Sequence, residues 1–217
     1  QDRQTEKGER LLERILSKGD SAESHLMMGT AMAGVYRNKE AIAEFERAIA
    51  LNPKLPMAHA LLAAEIMRQN DLERAQKEYE AELTVNPNDY SANFYLGYLQ
   101  RRKREYDTAL AYMDKAFKLR PGNASAIYQI ALIRYLKGEL DQAQSMLENV
   151  VKKDPGFADA HVTLARIYYK KGMTAEGEKA QNTADNLRAR EQETKQDTPG
   201  RGDPSLTTDV DKRPVPM

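Results

Sequence analysis

Ala50-Leu51-Asn52-Pro53, Thr84-Val85-Asn86-Pro87, Lys118-Leu119-Arg120-Pro121 and Lys152-Lys153-Asp154-Pro155 carry the reading of this 217-residue chain. The prolines are evenly set: 87 − 53 = 34, 121 − 87 = 34 and 155 − 121 = 34. Proline fits the first turn of a helix and breaks its interior, so each one marks a boundary. A fixed period of this length is the signature of a repeat architecture.

With each proline at repeat position 32, the repeats begin at Ala22, Pro56, Tyr90, Ala124 and Ala158. Position 20 then reads Ala41, Ala75, Ala109, Ala143 and Gly177, and position 8 reads Gly29, Ala63, Gly97, Ala131 and Ala165. Bulky apolar residues stand at position 7: Met28, Leu62, Leu96, Ile130 and Leu164. Small residues recur where two helices must approach. At about 100° per residue, positions 4, 7, 8 and 11 form one stripe and positions 20, 24, 27 and 28 another. Gly138, Gly172 and Asn70-Asp71 separate the halves. The unit is a helix–turn–helix pair whose apolar face only a stacked neighbour can cover.

Over roughly residues 22–187 the pattern resembles the tetratricopeptide repeat (TPR) family. The resemblance rests on Gly29, Ala41, Phe45, Ala48 and Pro53 in the first repeat and on Ala63, Ala75, Tyr79 and Pro87 in the second. The third carries it in Gly97, Ala109, Ala116 and Pro121, the fourth in Ala131, Ala143 and Pro155. The chain departs from the family at position 4, where His25, His59, Asn93, Ile127 and His161 replace the usual Trp, and at Gln100 and Arg134 in the usually apolar position 11. The implied fold is all-α: a right-handed α-α superhelix, a TPR solenoid of about five repeats spanning 22–55, 56–89, 90–123, 124–157 and 158–187.

The ends should differ, as solenoid ends do. Residues 1–21 read as an N-terminal helix or half repeat, with Leu11, Leu12, Ile15 and Leu16 at helical spacing. The last repeat turns polar at Gly177, Glu178, Gln181 and Asp185, as a cap would. Residues 188–217 lose periodicity and gather Pro and Gly, which predicts a disordered tail.

Positions 2, 5, 6, 9, 12 and 13 of each first helix oppose the buried stripe. The resemblance implies that first helices line a concave groove, so these positions become the candidate partner-binding surface. The candidates are Met27; Leu61 and Met67; Phe94, Tyr95, Tyr98, Arg101 and Arg102; Tyr128, Leu132 and Tyr135; and Arg166 and Tyr169. Aromatic, Met and Arg side chains are those enriched at interfaces and hot spots. Covering about four such rings, ~100 Å² each, yields roughly 10 kcal/mol gross. Association costs about 4–15 kcal/mol, so the net suits weak to micromolar capture of a peptide segment or an amphipathic helix. The family's clamp for a chaperone carboxylate is absent, because Leu26, Thr30, Leu61 and Tyr95 stand where its polar groups would be.

Other functions find little support. Basic and acidic residues balance at 33 each, which removes the footprint of a nucleic-acid binder. Arg101 to Arg104 form the one basic cluster, at a helix end whose dipole favours it. No apolar run is long enough to span a membrane. With no cysteine there is no disulfide, thiolate or Cys-based zinc chemistry. His25, His59 and His161 occupy one register in different repeats, too dispersed to share a metal ion, so no metal or cofactor is expected. Arg201-Gly202-Asp203 and the sequon Asn123-Ala124-Ser125 are read as incidental. There is no phosphate loop, nucleophile elbow or zinc-protease motif, and the acids lie mostly on helix exteriors. The expectation is a non-catalytic scaffold for a protein or peptide partner. The alternative is the interaction arm of a larger enzyme or secretion assembly, which the start at Gln1 and the half repeat favour.

Overall fold

The computed structural model describes Ser17 and residues 19–197. Of the expected N-terminal helix or half repeat over residues 1–21, all but Ser17 and residues 19–21 lies outside the described residues, as does the chain beyond Asp197. Every regular element among the described residues is an α-helix. They run α1 (Ala22–Gly34), α2 (Asn38–Leu51), α3 (Ala58–Arg68), α4 (Leu72–Val85), α5 (Tyr90–Arg102), α6 (Tyr106–Leu119), α7 (Ala124–Leu136), α8 (Leu140–Lys153), α9 (Ala158–Lys170) and α10 (Thr174–Asp197). The chain divides into two compact units at Arg120–Pro121.

Side chains and backbone chemistry set the boundaries. Ser21, Asp71, Asp89 and Asn123 cap α1, α4, α5 and α7 by accepting the N–H of the residue three on. The sequon asparagine is thus a helix cap. Asn52, Asn86, Arg120 and Asp154 end the second helices in extended backbone, with φ between −144° and −130°. Each precedes a period proline, whose ring disfavours the helical conformation there. The turns between paired helices share one device: Tyr36, Asn70, Arg104, Gly138 and Gly172 all have positive φ. They are spaced 34 apart, and only the last two are the residue that adopts this conformation without strain.

The first unit holds α1–α6. Ala41 and Phe45, Ala75 and Tyr79, and Ala109 and Met113 lie at 0–1% exposure. They face position 8 of their partner helix. A Cβ on Gly29 would stand 2.6 Å from the Phe45 ring, and one on Gly97 2.8 Å from Met113 Cγ. The small residue is therefore a contact distance, set by the bulk opposite. The second unit holds α7–α10. Its core combines Leu132, Ala143, Leu147, Val150, Leu164 and Ile167. Here α10 continues to Asp197, beyond the boundary at 187 expected from the loss of pattern.

In the second-helix stripe of the first four repeats, one buried position is charged. Glu82, at position 27 where Ala48, Ala116 and Val150 stand in other repeats, is fully buried. Its Oε1 accepts the N–H of Met57 at 3.0 Å and its Oε2 that of Ala60 at 3.3 Å. Those donors belong to the unsatisfied first turn of α3, whose dipole also favours a carboxylate. Met57 itself sits at φ 70° and offers no side-chain cap.

Candidate partner-binding surface

Within each unit a first helix packs against its own second helix and, for α3, α5 and α9, against the second helix of the preceding repeat, as α5 does with α6 and α4. Its buried sector is therefore wider than one stripe. This decides which of the expected surface residues are free.

In the first unit Phe94 and Tyr98 are buried, each 6% exposed. Phe94 stacks with Tyr90 at 5.8 Å and meets Tyr95 edge-on at 5.3 Å. Tyr95 is half-buried and stacks on Tyr79 at 5.2 Å, and burial raises its hydroxyl pKa. The Arg101 and Arg102 guanidiniums lie 5.1 and 6.0 Å from the Tyr98 ring centre. Arg101 is buried and Arg102 exposed. Met27 on α1, and Leu61 and Met67 on α3, are half-buried.

In the second unit Tyr128 is buried edge-on against Phe157, 5.1 Å away, and Leu132 is buried in the core. Tyr135 is half-buried, with Lys170 Nζ 4.5 Å from its ring centre. Arg166 is exposed and Tyr169 is 45% exposed. An open row of all these residues is thus corrected. Phe94, Tyr98, Arg101, Tyr128 and Leu132 pack within their units. Met27, Leu61, Met67, Tyr95, Arg102, Tyr135, Arg166 and Tyr169 retain accessible surface.

Periodicity alone did not single out Glu65, at repeat position 10. It is buried beside Arg68, whose Nη1 lies 3.5 Å from Oε1. Burial raises its pKa, and the Arg68 charge opposes the rise only in part. Its Oε2 and the Tyr79 hydroxyl are buried without a hydrogen-bond partner among the described residues. An acid among apolar neighbours was the one available signal. Lys170 and Leu136, the latter 41% exposed, also belong to the accessible set.

The histidines tie their first helices to the neighbouring second helix and to the preceding turn. His25 Nδ1 meets Glu44 Oε2 at 2.5 Å and Nε2 meets Asp20 Oδ1 at 2.7 Å. His59 Nδ1 meets Glu78 at 2.8 Å, with its Nε2 3.3 Å from the Pro53 carbonyl. His161 Nε2 donates to the Pro155 carbonyl at 3.0 Å. His25 is buried, and burial disfavours its charged form, yet the bonds to Glu44 and Asp20 outweigh that and raise its pKa. Among the described residues no group of His, Asp and Glu could hold a metal ion. No helix among them is long and apolar enough to cross a membrane.

Comparison with known proteins agrees with this architecture. Residues 62–124 match the family described as Tetratricopeptide repeat, and residues 99–172 match Tetratricopeptide repeat protein 21 second ARM domain. No curated protein matches the sequence. Among solved structures, YrrB, a TPR protein with an unusual peptide-binding site, is 20% identical with a TM-score of 0.69, covering 82% of this chain and 92% of its own. MamA 41-end from Desulfovibrio magneticus RS-1 is 17% identical with a TM-score of 0.70, covering 79% of this chain and 97% of its own. PilF of Pseudomonas aeruginosa is 15% identical with a TM-score of 0.65, covering 76% of each chain.

Proposed function

We propose that this chain, which belongs to the tetratricopeptide repeat family, is a non-catalytic scaffold that holds a segment of a partner protein on the wall formed by α7 and α9, the first helices of its second unit. The observation that carries this reading is the accessible set on α7 and α9: Tyr135, Arg166 and Tyr169, side chains of the types that dominate binding hot spots. Tyr95 and Arg102 add a similar set on α5. Because Phe94, Tyr98 and Tyr128 already spend their apolar area within the fold, fewer rings remain for a partner than the register alone implies. The apolar gain shrinks in proportion, which places the interaction among weak and reversible ones. YrrB, with its peptide-binding site, supports a peptide as the class of ligand.

The test is affinity capture from native extract by the full chain and by a Tyr135→Ala, Tyr169→Ala variant. Both residues are accessible, so the variant should keep its helicity by circular dichroism while losing its partner. Equal recovery of the same partner by both proteins would reject the assignment of this wall. Tyr98→Ala is unsuited to the purpose, since deleting a buried ring costs about 3–5 kcal/mol of stability.

A further inference from the structure

The formal charge of the chain is zero, yet the charges are not evenly distributed among the helices. The first helices α1, α3, α5, α7 and α9 hold six basic residues and only three acidic ones, Glu23, Glu65 and Asp159. The second helices α2, α4, α6 and α8 hold eight basic and eleven acidic residues. Several cations on the turns and second helices pair with carboxylates: Arg37 with Glu40, Arg74 with Glu46, Lys171 with Asp141.

On the second unit's first helices the situation differs. Asp159 is taken by Arg188 at 2.9 Å, and Arg134 is taken by Glu139 at 2.7 Å. Arg166 and Lys170, both exposed, have no carboxylate within ion-pair distance among the described residues. Lys170 rests instead on the face of Tyr135. A cation on an aromatic face keeps much of its charge available to a third group, because the ring supplies a quadrupole and not a counter-ion.

We propose that the α7–α9 face recognises an acidic segment of its partner, with carboxylates on Arg166 and Lys170 and an apolar side chain against Tyr169. This deepens the scaffold reading above and rests on it. Charge complementarity selects the occupant, since no acid on this face competes for the two cations. Spacing adds a constraint. Side chains four apart on a helix stand about 5–6 Å apart at Cβ. Alternate residues of an extended strand are about 6.6 Å apart and point the same way. An extended segment with acids at every second position therefore matches Arg166 and Lys170.

The probes are short fluorescein-labelled peptides of alternating leucine and glutamate, leucine and glutamine, and leucine and lysine, read by anisotropy against the full chain. The glutamate peptide should bind most tightly and weaken as salt rises. An exposed ion pair contributes roughly two- to fivefold, so Arg166→Glu with Lys170→Glu should weaken that peptide by about tenfold or more. Equal binding of the glutamine peptide, or an unchanged affinity in the charge-reversed variant, overturns the acidic assignment and leaves the scaffold reading standing. Loss of binding on charge reversal, with none on Tyr135→Ala and Tyr169→Ala, supports the carboxylate contacts but overturns the Tyr169 contact and the aromatic wall with it. A single-stranded oligonucleotide that displaces the glutamate peptide at lower concentration overturns the proposal in favour of phosphate. So does a sedimenting dimer that charge reversal dissolves, which would assign the face to a second copy.

Discussion

Glu82 should be the most sensitive single polar position in the first unit. Its two oxygens satisfy the Met57 and Ala60 N–H groups, and it is fully buried while doing so. A hydrogen bond to a charged group contributes about 1.5–3 kcal/mol. Glu82→Ala removes two, so a loss of about 3–6 kcal/mol is expected, or roughly 6–24 °C in Tm for a chain of this length. Two further variants separate capping from filling. Glu82→Leu restores volume but leaves both N–H groups without an acceptor, and should cost nearly as much as alanine. Glu82→Gln keeps one acceptor and should cost about 1–2 kcal/mol. Urea unfolding followed by circular dichroism reads the global effect. Hydrogen exchange at the amides of α3 reads the local one, which matters because repeats open semi-independently. If leucine is tolerated better than glutamine, Glu82 is merely filling space and the capping argument fails.

Three other expectations concern the repeat geometry. Arg104→Gly should stabilise the fold by about 0.5–1 kcal/mol, since relief of a left-handed conformation (~1–2 kcal/mol) exceeds the extra chain entropy. Asn70→Gly, where asparagine already tolerates that conformation, should be near neutral by the same denaturation assay. Gly29→Ala should destabilise more than Gly97→Ala, because the new methyl meets the rigid Phe45 ring in one case and the flexible Met113 side chain in the other. Overpacking costs about 1–3 kcal/mol against a helix-propensity gain of about 1, and matched melting curves would expose a reversed order. The raised pKa of His25 means that its contribution is complete below the unfolded value of 6.5 and is lost as pH rises through the folded value. The urea midpoint should therefore fall, relative to His25→Gln, as pH rises above 6.5, and parallel pH profiles of the two proteins would refute the link.

The period was legible because its signals are local and steric. Proline forbids the helix interior at Pro53, Pro87, Pro121 and Pro155, and alanine or glycine is required where paired helices touch at positions 8 and 20. The repeated left-handed turn was half legible: Gly138 and Gly172 announced it, while Tyr36 and Arg104 concealed it under side chains that carry no such preference. Glu82 could not be recognised as a cap, because its donors lie 25 and 22 residues away. The extent of α10 escaped as well, since an exposed helix needs no apolar pattern to continue.

The candidate surface divides in the same way. Residue type and register alone nominate Tyr95, Tyr98, Tyr128 and Tyr135 equally, since each lies opposite the principal apolar stripe of its helix. The tertiary structure distinguishes them. Tyr98 and Tyr128 are enclosed, Tyr95 is half-covered by its stack on Tyr79, and Tyr135 keeps part of its surface under Lys170. The physical reason is that helical periodicity encodes one direction of burial per helix. A helix flanked by neighbours on two sides has a second, and its position depends on side chains a whole repeat away.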